Sequence, residues 1–153
     1  QLGEVASAVV GNLMYVMGEG APDTFVYNIT RQAWVVNAPT RPFPGDHHGV
    51  AVLGTDIFLV GGFNGGSSGG CAVPGCCGQL QVFHTTTQHW ETLGDLPYHV
   101  EGSVSVVALG GSILACSGLF HRGPDEEYLG LTGDPGVNPT DCFRYNVGAR
   151  TWN

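Results

Sequence analysis

Three times along this chain an aromatic residue is followed seven positions later by tryptophan: Tyr27 and Trp34, Phe83 and Trp90, Tyr145 and Trp152. Polar turn formers fill the intervals 28–33, 84–89 and 146–151. Upstream of each pair lies a second shared pattern: an apolar run, a small turn centred on glycine, another apolar run, then a glycine-bearing pair. The copies are Ser7–Gly18, Val50–Gly62 and Val106–Gly118. Repetition with a period of about 50 residues implies a supersecondary unit that cannot bury both faces alone and stacks on copies of itself.

Each unit reads as strand a, tight turn, strand b, glycine pair, strand c, turn, strand d. Glycine at the pair permits positive φ and close backbone approach. The aromatic of strand c and the tryptophan of strand d are placed to pack between neighbouring units. The units divide the chain at 1–38, 39–94 and 95–153. Composition agrees: 42% hydrophobic residues supply a core, while 25 Gly and 9 Pro suit the short strands and many turns of an all-β chain.

The pattern resembles the kelch repeat, whose hallmarks are a double glycine after the second strand and a Tyr and Trp separated by six residues. The second unit carries Gly61-Gly62 with Phe83 and Trp90. The first carries Gly18-Glu19 with Tyr27 and Trp34, and the third Ser117-Gly118 with Tyr145 and Trp152. The resemblance implies a kelch-type β-propeller with four-stranded antiparallel blades. Propellers typically close with four to eight blades. Three blades are therefore expected to belong to a larger propeller, completed by the remaining blades of a longer chain or by a second chain.

Charge narrows the partners. The formal net charge is −8, with five Arg and no Lys. Such a surface repels phosphate backbones, which argues against nucleic acid. It disfavours anionic membranes equally, and no apolar run is long enough to span a bilayer. Without lysine, Schiff-base chemistry has no residue to use in this segment.

In an up-and-down blade the a–b and c–d turns share one face of the disc, and the b–c and d–a connections share the other. Two b–c connections are long: a Gly/Cys-rich insertion at 63–78 and an acidic one at 119–141. Long loops gathered on one face of a rigid scaffold are the usual place for binding. Candidate binding residues there are Phe63 and Asn64 in the first insertion, with His121, Arg122, Asp125, Glu126 and Glu127 in the second. The d–a segments add His47 and His48 before the second unit, and Tyr98, His99 and Glu101 before the third. Histidine pairs near a channel can bind metal or move protons, yet no complete ligand set or catalytic constellation is present. No cofactor, metal ligand or catalytic residue is assigned. The glycines of 63–78 lack the strand–helix context of a phosphate loop.

The five cysteines are Cys71, Cys76, Cys77, Cys116 and Cys142. Cys116 ends strand b and Cys142 begins strand c of the third unit, so a disulfide between them is expected at the base of the insertion. Cys71 with Cys76 or Cys77 is placed to staple the first insertion. Asn28-Ile29-Thr30 is an N-glycosylation sequon in a c–d turn expected to be exposed. The acidic surface and these cysteines point to an extracellular or surface protein; a cytoplasmic one is the alternative.

Kelch-like domains mostly bind other molecules. The resemblance thus implies a non-catalytic binding or scaffold propeller that contacts a protein or glycan. Copper-radical oxidases and sugar-processing enzymes also occur among kelch-like propellers, and a structural role in an extracellular assembly is a third reading.

Overall fold

The computed structural model describes residues 3–18, 22–62, 79–97, 102–118 and 141–153. Twelve strands among them form three four-stranded antiparallel sheets. The first sheet comprises β1 (Val5–Val10), β2 (Leu13–Gly18), β3 (Phe25–Asn28) and β4 (Ala33–Trp34). The second comprises β5 (Gly49–Leu53), β6 (Asp56–Val60), β7 (Gln79–His84) and β8 (His89–Asp95). The third comprises β9 (Ser105–Leu109), β10 (Ser112–Cys116), β11 (Cys142–Asn146) and β12 (Thr151–Trp152). Strand order follows chain order within every sheet, which is the meander of a propeller blade. The innermost strands β1, β5 and β9 lie side by side, as strands nearest a central axis must.

The seven-residue spacing has a direct structural cause. In each c–d hairpin the two aromatics are cross-strand partners: Tyr27 opposite Trp34, Phe83 opposite Trp90, Tyr145 opposite Trp152. Their ring centroids lie 5.3, 5.0 and 5.2 Å apart, within the range of favourable aromatic contact. Gln32, Gln88 and Arg150 take positive φ at the same point of each turn. Asn28 and Asn146 close their turns by accepting, at Oδ1, the backbone N–H of Arg31 and Ala149.

Two apolar clusters join the blades. Blade 2 presents Ile57, Leu59, Phe83 and Trp90 to Ala6, Ala8, Tyr15, Met17 and Val26 of blade 1. Its other face presents Phe58, Val60, Leu80 and Val82 to Ile113, Ala115 and Tyr145 of blade 3. Trp90 also donates its indole N–H to the Pro39 carbonyl at 2.9 Å, tying strand d to the blade 1–blade 2 connection. Each aromatic pair therefore packs on the preceding blade. Tyr27 and Trp34 are the exception: Trp34 is 60% exposed, contrary to the expectation of inter-blade packing. The reason is topological, because no blade precedes the first among the described residues. On the far side, Val107 and Leu109 of blade 3 are likewise exposed.

The c–d turn that carries the sequon is exposed at residues 29–34, as expected, but its asparagine is not. Asn28 is only 8% exposed, and its carboxamide is turned into its own hairpin. Cys116 and Cys142 are cross-strand partners joined by a disulfide, as expected. Cys71, Cys76 and Cys77 lie outside the described residues.

The double glycine is a steric requirement. Gly61 and Gly62 take φ of 70° and 104°, and a Cβ on Gly62 would collide with the His48 ring. Gly62→Ala is expected to cost about 2–3 kcal/mol, from backbone strain plus overpacking. Urea denaturation would read this as a lower midpoint with an unchanged slope.

Candidate functional site on the loop face

The chain must turn from the outermost strand of one blade into the innermost strand of the next. It makes that corner with a left-handed residue just before strand a. Counted back from the a–b turns, Glu4, His47 and Ser103 occupy one repeat position, with φ of 46°, 53° and 56°. The backbone requirement is shared, but the side chains are not. The Ser103 N–H donates to the His47 carbonyl at 2.8 Å, linking the corner of blade 3 to that of blade 2. The His47 imidazole Nδ1 lies 2.7 Å from Asp46 Oδ1 and 3.5 Å from Glu4 Oε2. Glu4, Asp46, His47 and Ser103 thus form a polar arc across all three blades, at the inner rim of the loop face.

This arc is the cluster the structure brings together. One donor atom each from Glu4, Asp46 and His47 lies within 4.8 Å of the others. An imidazole and two carboxylates at that spacing suit a divalent ion, or a ligand's hydrogen-bond donors.

His48 behaves differently from its neighbour. It stands where the other blades carry Val5 and Val104, and its ring presses against Gly62. Its Nδ1 is buried without a hydrogen-bond partner among the described residues. Burial first, then the nearby Arg41 and His47, push its pKa down to about 3. His48 is therefore a neutral wall of the corner, packed beneath the rim.

Arg41 supports the same corner from below. Its guanidinium is buried and reaches the Gly45 carbonyl. Burial lowers its pKa to about 10, offset by Asp23 and Asp46, so it remains charged at neutral pH. Its backbone N–H donates to the Pro22 carbonyl at 2.7 Å. Buried Gln81 clamps the segment further, accepting from the Phe43 N–H and donating to the Phe43 carbonyl. Glu4 and Arg41 were not singled out from sequence. Aligning the three corners position by position would have paired Glu4 with His47.

Of the remaining sequence candidates, Phe63, Asn64, Tyr98, His99, Glu101, His121, Arg122, Asp125, Glu126 and Glu127 lie outside the described residues.

Comparisons with known proteins fit this architecture. Residues 44–97, essentially blade 2 with its preceding corner, match the Kelch motif family model. No curated protein matches the sequence. The solved structure of YjhT, a kelch-type propeller, superposes with a TM-score of 0.63 at 13% identity, over 79% of this chain. The chain spans only 35% of YjhT. The matched motif identifies a kelch repeat at residues 44–97, and the blade topology and the YjhT likeness show the fold of kelch-type propeller blades across the described residues.

The depressed His48 pKa gives a pH prediction. The unfolded chain binds a proton at His48 near pH 6.5, whereas the folded chain resists it down to about pH 3. Stability from this group is therefore complete above about pH 6.5 and is lost as pH falls towards 3, at up to about 1.4 kcal/mol per pH unit. Denaturant melts at a series of pH values should show this acid slope. His48→Val, the residue of the other two blades, should remove it.

Proposed function

We propose that this chain is part of a non-catalytic binding propeller that engages a protein or glycan ligand through its loop face. The polar arc of Glu4, Asp46 and His47 anchors that ligand at the channel rim. One observation carries the reading. The repeat demands only a left-handed backbone at the corner, which Ser103 satisfies, yet blades 1 and 2 place an ionisable group there. The described strand ends that lead into residues 63–78 and 119–140 lie on this same face. The acidic balance favours ligands rich in hydroxyl, amide or cationic groups over phosphate.

The exposed apolar residues Val5, Val9 and Trp34 on one outer face, and Val107 and Leu109 on the other, are the contact surfaces for further blades. Those blades come from a longer chain or from a second chain.

Purified protein should be applied to glycan and peptide arrays, with hits quantified by calorimetry. Glu4→Ser combined with His47→Ser is expected to weaken a true ligand at least tenfold. Thr86→Ala, in a c–d turn on the opposite face, should leave affinity unchanged. Binding that ignores the loop-face substitutions, or turnover of an arrayed sugar, would overturn the reading.

An extracellular or surface location accords with the Cys116–Cys142 disulfide, because such bonds persist in oxidising compartments. Alkylation of unreduced protein from its native source tests this. Both cysteines are expected to resist labelling until a reductant is added; two free thiols would place the protein in a reducing compartment.

A further inference from the structure

The turn face holds a second feature, between blades 2 and 3. A cleft of about 180 Å³ opens there, walled by Phe58, Val82, Leu93 and Val147. Its rim carries Asp56, His84, Glu91 and Arg150, and Tyr145 lies at its base. An apolar cavity of about 150 Å³ is enough to hold a benzene ring, so the walls accommodate one ring-sized apolar body.

The repeat supplies an internal control for the rim. At the positions of Asp56, His84 and Glu91, blade 1 carries Leu13, Asn28 and Val35, and blade 3 carries Ser112, Asn146 and Asn153. Neither other blade places a charge at any of the three. In blade 1, Leu13 and Val35 pack against the blade 1–blade 2 cluster, and Asn28 closes its own turn. Fold and turn chemistry are therefore satisfied without charge, and blade 2 departs from the repeat at all three positions together. A bulge opposite Leu80 and Gln81 also gives β8 an extra residue, Leu93, for the cleft wall.

Two carboxylates share the rim with one imidazole. His84 Nδ1 lies 3.1 Å from Asp56 Oδ1, and its Nε2 lies 3.4 Å from Glu91 Oε2. Arg150, the one arginine in the lining, is already engaged by Glu91. That pairing holds the Glu91 carboxyl below its usual range. Two carboxylates thus stand at the mouth of an apolar slot, with one guanidinium already engaged and one imidazole shared between them.

We propose that this cleft binds a small organic cation: an ammonium group carried on a ring-sized apolar body. The ring enters between Phe58, Val82, Leu93 and Val147. The ammonium stays at the rim and donates to the Asp56 and Glu91 carboxylates. The site lies on the opposite face from the polar arc and stands independently of the loop-face proposal.

Benzylamine is the probe, titrated into the full-length protein and followed by ¹H–¹⁵N NMR. Saturable shifts should centre on Phe58, Val82, Tyr145 and Arg150. Benzyl alcohol, which has the same ring without the charge, should bind at least tenfold more weakly. Asp56→Leu and His84→Asn install blade 1's residues and should weaken benzylamine at least fivefold while the fold is kept. Asp56→Asn does the same with an isosteric side chain if the leucine variant is unstable. Equal affinity for the alcohol, indifference to both Asp56 variants, or shifts confined to other regions would each overturn the proposal.

Discussion

The whole architecture rests on the packing of one sheet face against the next. A four-stranded blade is apolar on both sides, so it has no stable isolated form in water. Among the described residues blade 2 alone has both faces covered, and its residues show the result. Ile57, Phe58, Leu59, Val60, Leu80, Val82 and Phe83 are all buried, including successive residues of one strand that point to opposite faces. Burying each large side chain stabilises by about 1.5–3 kcal/mol. Blades 1 and 3 each have one covered face among the described residues, and their first strands alternate, β1 between buried and exposed residues and β9 between half-buried and exposed ones. The polar features follow from this constraint: strands locked by their neighbours hold their end residues at fixed positions.

The parts of the fold legible in the sequence are those that packing forces to recur. The Tyr/Phe–Trp pairs had to be seven apart because they face one another across a two-stranded ribbon. The intact double glycine of blade 2 was legible because a Cβ on Gly62 has no room beside His48. The Cys116–Cys142 bridge was legible because b and c strands pair, and their ends must meet. The exposure of Trp34 was not legible, because it depends on whether another blade lies alongside. Nor was the burial of Asn28. A sequon and an Asx turn use the same residue, and only the geometry shows the carboxamide turned inward.

The functional residues were less legible for a related reason. Sequence inspection favours long or unusual loops, and it gave most candidates to the insertions. The described polar arc comes instead from short corners, where one residue in each blade must adopt a left-handed backbone. Glycine is the cheapest solution to that demand, and asparagine, aspartate or histidine the next. Glu4 and Ser103 are none of these. His47 drew attention only as half of a histidine pair, and the pair proved to be two different things. His47 faces two carboxylates, whereas His48 is a valine position occupied by a neutral imidazole.

A repeat protein carries its own reference state. What the fold needs appears in every unit, so a residue found in one unit alone answers to something other than the fold. Applied to strand a, this separates the left-handed backbone, common to all three corners, from the ionisable groups added in blades 1 and 2. On strands b, c and d it separates the asparagine that closes a turn from the His84 that replaces it in blade 2. At His84 the substitution is compensated within the same blade. Thr85 Oγ1 donates to the Thr55 carbonyl at 2.7 Å, and Gln88 donates to the Thr85 carbonyl at 2.7 Å. These bonds close the turn without an asparagine and leave the imidazole between Asp56 and Glu91. A turn rebuilt to release one side chain, beside two carboxylates that the other blades lack, is what a site looks like when it is set into a scaffold that did not require it.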